Sequence, residues 1–99
     1  MPSSTPSPAD RLRQEARVEA ILERIRDIPA GHVQTYGDIE PHAPRLVGRV
    51  LATTNQDVPW FRVVRADGSI PKGERQRELL LRDGVPMRGD RVDLDRARA

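Results

Sequence analysis

Val58-Pro59-Trp60-Phe61-Arg62-Val63-Val64 is an apolar run broken by one arginine, and it holds the only tryptophan and the only phenylalanine of a 99-residue chain. The two rings follow a proline, which fixes φ and removes a backbone donor. Aromatic side chains bury about 150–250 Å² each and offer flat faces for stacking. A chain with three aromatics that sets two of them side by side leaves two readings open. The stretch is a core strand that carries its bulk here, or it is a surface that meets another flat ring.

Upstream of this run, Thr53 to Asp57 is a polar loop. Before it, Pro44 to about Thr54 reads as a helix with proline near its first turn and Leu46, Val47, Val50 and Leu51 on one side. Arg45 and Arg49, four apart, share a face of that helix. The two prolines of Pro41-His42-Ala43-Pro44 must break whatever precedes them. Thr35 or a neighbour can cap a short helix over Tyr36 to Glu40. Short helix, tight break and second helix form the outline of a helix-turn-helix.

Farther upstream, Ser7-Pro8-Ala9-Asp10 is a helix start, with serine as N-cap and proline at the first position. The helix should run to about Asp27. Leu12, Ala16, Ala20, Ile21, Ile25 and Ile28 recur at three- and four-residue spacing, while Arg13, Glu15, Glu19 and Glu23 face out. Ile28 to Gly31 ends it, and His32 to Tyr36 is a short extended or turn-like piece. Residues 1–6, rich in proline, serine and threonine, read as a disordered tail, so residues 7–99 form one domain.

Downstream, Asp67-Gly68 is a turn signal and Ile70 to Gly73 a loop. Glu74 to Asp83 reads as a helix carrying Leu79, Leu80 and Leu81, ended by Gly84. Val85 to Met87 and Arg91 to Leu94 suit a hairpin about Gly89-Asp90, and Asp95 to Ala99 looks frayed. The fold class is mainly α with a short β element, a winged helix-turn-helix-like domain.

Composition narrows the function. The absence of cysteine removes disulfides, thiolate metal sites and the thiolate nucleophile together. His32 and His42, the two histidines, have no carboxylates at ligand spacing, so neither a metal nor another cofactor is expected. No stretch approaches the ~18 apolar residues of a membrane span, and the N-terminus lacks the pattern of a signal peptide; a cytoplasmic protein is expected. No long heptad or exposed apolar stretch calls for a partner copy, which predicts a monomer. From Arg45 to Arg82 eight basic residues stand against four acidic ones, an excess of +4 where the whole chain has +2. Such a basic stretch points to nucleic acid.

Taken in order, Ile28-Pro-Ala-Gly-His-Val-Gln-Thr-Tyr36-Gly, Arg45-Leu-Val-Gly48, Asn55, Pro59-Trp60-Phe61-Arg62-Val63-Val64, Gly68 and Leu79-Leu80-Leu81-Arg82-Asp83-Gly84 resemble the C-terminal domain of O6-alkylguanine-DNA alkyltransferases. They resemble the alkyltransferase-like proteins more closely, over residues 12 to 94. The transferases carry Pro-Cys-His-Arg-Val, in which the cysteine accepts the alkyl group. The alkyltransferase-like proteins have tryptophan at that position, as this chain does at Trp60. The family's histidine is Phe61 here and its triad glutamate falls at Asp83. An indole is no nucleophile, and without a thiolate this type of dealkylation cannot occur.

The resemblance implies binding without transfer. By position, Tyr36 would lie against a DNA phosphate and help rotate the nucleotide, and Arg45 would enter the duplex and fill the space left by the flipped base. Thr35 and Arg49 would join them at the DNA. Asn55 would sit at the hinge between the recognition helix and a pocket strand, and with Trp60, Phe61, Val63 and Ser69 it would line the lesion pocket. The loop that closes over the lesion corresponds to Ser69 to Gly73. Between Tyr36 and Arg45 the chain has eight residues, fewer than the transferases, so the first helix of the helix-turn-helix must be shortened. The expected function is recognition of O6-alkylguanine in double-stranded DNA by nucleotide flipping, flagging the lesion to nucleotide excision repair proteins. Two alternatives remain at this point: a winged-helix DNA-binding module without lesion specificity, and an enzyme that uses some other residue.

Overall fold

The computed structural model describes residues 7–99, and the tail expected at 1–6 lies outside them. The stretch around Trp60 is the partition of the molecule. Trp60–Arg62 forms a 3-10 turn and Val63–Val64 a two-residue strand, β2, in place of the single pocket strand expected from the sequence. Proline at 59 supplies no backbone donor, and the turn closes instead through the bond from the Arg62 N–H to the Pro59 carbonyl, 3.0 Å. Successive strand residues point to opposite sides. Val63 accordingly enters a core with Ile21, Leu22, Ile25, Ile39, Val47 and Val50, while Val64 enters a second with Val33, Leu80, Val85, Val92 and Ala97. The aromatic pair divides in the same way: Trp60 rests on the first core and Phe61 on the second.

The first core is helical. Helix α1, Pro8–Arg26, starts as its sequence dictates, with the Ser7 hydroxyl accepting from the Asp10 N–H and proline in the first turn. Its packing face is shorter than the periodicity implies. Leu12 is 65% exposed, Ala16 is exposed as well, and every residue from Pro8 to Arg17 faces solvent. At 1.5 Å per residue a 19-residue helix is about 28 Å long, and the short elements it packs on cover only its C-terminal half, where Ile21, Leu22 and Ile25 are buried. Strand β1, Gln34–Thr35, runs directly into α2, Tyr36–Ile39. A capping box stops α2 from fraying: the Thr35 hydroxyl accepts from the Asp38 N–H and the Asp38 carboxylate accepts from the Thr35 N–H. The prolines end it, and α3, Pro44–Thr53, follows. The shortened first helix of the helix-turn-helix is therefore a single turn.

β1 and β2 pair in parallel, Gln34 with Val63 and Thr35 with Val64. Helix α4, Gly73–Arg82, and the antiparallel pair β3, Met87–Arg88, with β4, Arg91–Val92, close the second core. Of the three successive leucines only Leu80 is buried, and Leu81 is 52% exposed, as expected of neighbours about 100° apart on one helix turn. The C-terminus corrects its sequence reading. Leu94–Ala97 forms helix α5, Ala97 is fully buried, and the Ala99 N–H donates to the Val33 carbonyl at 2.9 Å. Val33 supplies this end with a backbone partner beside β1, so the last residues are docked where the polar sequence suggested fraying. Gly68 turns the chain at φ +84°, with the Val92 carbonyl 2.5 Å from where a Cβ would stand, an approach only glycine allows.

Candidate nucleic-acid interface

Helix α3 carries the exposed cations. Val47 and Val50 are buried, Leu46 and Leu51 pack partly on the first core, and Arg45 and Arg49 on the opposite face are exposed. Next to α3, a depression of about 350 Å³ is lined by Tyr36, Leu51, Trp60, Val63, Lys72, Arg75 and Gln76. Its wall is largely apolar and its rim carries two cations, Lys72 and Arg75. A second depression joins Tyr36 to Arg45, Gly48 and Arg65. Tyr36 thus borders both, with its ring against Gly48 of α3 at 3.8 Å from an added Cβ. Burial raises the Tyr36 pKa above its ordinary value, an effect that nearby Arg65 partly opposes. The phenol keeps its proton at neutral pH and can donate to an oxygen.

The residues singled out from the sequence fall into two groups. Tyr36, Trp60 and Val63 share the 350 Å³ depression, and Arg45 and Arg49 stand on the adjacent exposed face. The others lie elsewhere. Thr35 is 3% exposed and its hydroxyl is occupied by the α2 cap, so it organises Tyr36 and offers no side chain to a phosphate. Phe61 turns to the second core, with the Arg62 guanidinium 5.2 Å from its ring centre, because consecutive residues of the 3-10 turn diverge; the Trp60 ring meets it edge-on at 6.0 Å. Asn55 is exposed in the loop after α3. Ser69 lines a separate depression with Ile70, Gly73 and Arg77.

Three residues of the pocket wall have no place in the sequence-derived site, Leu51, Arg75 and Gln76, while Lys72 belongs to the loop expected to close over the lesion. Gln76 matters most. It is fully buried in α4, its amide nitrogen donates to the carbonyls of Phe61 at 3.0 Å and Val63 at 2.9 Å, and its amide oxygen accepts from the Lys72 N–H at 3.0 Å. One glutamine therefore ties the aromatic turn, β2 and the start of α4 together. A polar residue in a charged helix segment gives no periodic sign of such burial. Arg75 has a weak signal, as a member of the basic stretch.

Asp83, which the sequence resemblance sets at the triad glutamate, is committed to structure. Both of its oxygens accept from Arg62, at 2.8 and 2.9 Å, and the Gly31 N–H donates to it at 3.0 Å. The Arg62 hydrogen bond, then that of Gly31 and the charges of Arg62 and His32, hold its carboxyl below the ordinary range against the opposing effect of burial. A carboxylate with a depressed folded pKa stabilises the fold above its unfolded value of about 3.9, and that contribution disappears as pH falls through the folded value. Asp83→Asn should cost about 2–4 kcal/mol at pH 7, because it leaves a largely buried guanidinium unpaired. It should also flatten the loss of stability below about pH 4. Urea unfolding at pH 7 and pH 3 checks both, and an unchanged slope in the variant would show that Asp83 titrates normally.

Comparison with known proteins adds a family. Residues 16–85 match the family described as 6-O-methylguanine DNA methyltransferase, DNA binding domain. The chain is 37% identical to the "DNA base-flipping protein" of Escherichia coli (strain K12) over 94% of its own length and 87% of that protein. It is 32% identical to "Alkyltransferase-like protein 1" of Schizosaccharomyces pombe, over 75% of its length and 81% of that protein. Its fold is similar to that of S. pombe Atl1 crystallised in complex with damaged DNA containing O6-carboxymethylguanine, with a TM-score of 0.73 at 24% identity, covering 86% of this chain and 95% of that one.

Proposed function

Because the chain belongs to the family of the 6-O-methylguanine DNA methyltransferase DNA-binding domain, we propose that it is a non-catalytic DNA-damage recognition protein that flips O6-alkylguanine into the depression beside Trp60. The observation that carries this reading is a juxtaposition. An apolar-walled depression of about 350 Å³ holds Tyr36 and Trp60, and Tyr36 also borders a depression with the exposed Arg45 of α3. Helix α3 lies in the minor groove, where side chains that enter between base steps commonly kink or open the duplex. Arg45 occupies the place of the extruded base and Arg49 neutralises backbone. Tyr36, protonated, donates to the phosphate of the turned nucleotide. Extrusion costs a few kcal/mol, less for a weakened pair, and stacking on the Trp60 indole returns about 1–3 kcal/mol.

Capture without turnover is supported by chemistry. The chain has no cysteine, and the resemblance puts Trp60 at the alkyl-acceptor position. Phe61 carries no base, and Asp83 is held by Arg62. The names of the E. coli and S. pombe relatives, a base-flipping protein and an alkyltransferase-like protein, agree with binding of this kind. On this reading the protein works as a monomer in the cytoplasm, and the bound lesion is passed to nucleotide excision repair proteins. Among the described residues no helix is long and apolar enough to cross a membrane.

The test is a titration with two matched duplexes, one with O6-methylguanine and one with guanine, at physiological salt, following Trp60 fluorescence. Tighter binding of the lesion with altered emission is the expected result. Equal affinities with unchanged emission would reduce the protein to a DNA-binding module without lesion specificity.

A further inference from the structure

The N-terminal half of α1 is a well-formed helix that contributes nothing to the core. Its cap is made and every residue from Pro8 to Arg17 is exposed, yet it flanks one side of a groove of about 460 Å³ whose other wall is α3. Arg13 and Arg17 line this groove from α1, and Arg45 and Arg49 line it from α3. Each pair is spaced four residues apart, so each forms a row along its own helix. No carboxylate is among the lining residues. Two acids meet the α1 arginines without lining the groove. Asp10 meets Arg13 at 3.2 Å between side chains that are 59% and 77% exposed, and such ion pairs are weak. Glu40 lies 3.8 Å from Arg17 and equally far from Arg24.

The groove is linked to the proposed base-flipping site through shared lining residues. Trp60 and Tyr36 share the first depression, Tyr36 and Arg45 share the second, and Arg45 opens into the α1/α3 groove. The geometry points to a backbone-binding track on α1: Arg13 and Arg17 grip phosphates of the same duplex, beyond the strand that α3 enters. This rests on the assignment of α3 to DNA. Planar guanidinium forks suit phosphate, and backbone contacts position a duplex without reading its sequence. The helix is therefore a second grip that adds affinity to any DNA and adds no lesion preference.

The experiment compares wild type, Arg13→Ala/Arg17→Ala and Arg11→Ala across a salt series, with the same lesion and plain duplexes. Arg11 lies off the groove on the same exposed half-helix and controls for net charge. Helicity by circular dichroism confirms that α1 is intact in each variant. Each phosphate contact contributes about 0.9 to the slope of log affinity against log salt on B-form DNA, so the double variant should lower that slope by about 2. The ratio of lesion to plain affinity should stay unchanged, and Arg11→Ala should have less than half the effect. A slope no different from that of Arg11→Ala would overturn the track and leave the groove to another kind of partner. Loss of lesion preference in wild type with a normal slope change would remove the flipping pocket and keep the track; failure to bind either duplex would remove both.

Discussion

Gln76→Ala is expected to lower the stability of the fold by about 3–5 kcal/mol, the largest effect of any single substitution considered. Three backbone groups use this one amide: the buried carbonyl of Val63, and the partly buried carbonyl of Phe61 and N–H of Lys72. Stranding a buried polar group costs about 1–3 kcal/mol, and the truncation leaves a void at a site with no solvent exposure. A domain of this size has about 5–15 kcal/mol in total, so the variant should be close to unfolding at ordinary temperatures. Gln76→Leu keeps the volume and strands the same groups, which separates the two causes: it should recover the part due to the void and no more. Chemical denaturation followed by circular dichroism gives both numbers. A loss below about 1 kcal/mol in Gln76→Ala would mean that water replaces the amide and that the site is wetter than its geometry implies.

The second large effect is on binding. Trp60→Ala should reduce affinity for an O6-methylguanine duplex by about 5- to 150-fold, the equivalent of the ~1–3 kcal/mol that stacking contributes per base. Affinity for the unmodified duplex should move by less than about 2-fold, because α3 and its arginines are untouched. Trp60→Phe retains a flat ring and should recover most of the difference, whereas Trp60→Leu, apolar but not flat, should not. The Trp60 ring also rests on the first core, so each variant needs its melting temperature measured beside its affinity. An equal loss on both duplexes would assign Trp60 to the frame of the protein rather than to the base.

Sequence alone reached the helix-turn-helix and its site to different depths. Elements with a local cause were legible: Ser7 and Pro8 start α1, Thr35 caps α2, the prolines at 41 and 44 separate α2 from α3, and Gly84 follows α4. Arg45 and Arg49 could be placed on the outer face of α3 because helical spacing alone fixes it. What depended on distant partners was hidden. Leu12 has the periodicity of a core residue and, among the described residues, no element opposite it, and Ala97 has a polar neighbourhood in sequence and the whole second core opposite it. Phe61 and Trp60 are adjacent, and only the 3-10 turn sends one ring to each core. Gln76 is the extreme case, since its partners are carbonyls 13 and 15 residues away, and no pattern of side chains encodes a backbone acceptor.

The parallel pairing of Thr35 with Val64 places the start of α2 and the exit of the aromatic turn on one two-rung ladder. The span from Tyr36 to the wall behind Trp60 is therefore fixed by backbone hydrogen bonds, and this side of the pocket stands before a base enters. In kinetic terms this side of the receptor is a finished mould, and a mould contributes no waiting time of its own. On the proposed function the clock belongs to the DNA: capture is paced by how fast a damaged pair opens with Arg45 in the duplex, and it is fastest where damage has already weakened that pair.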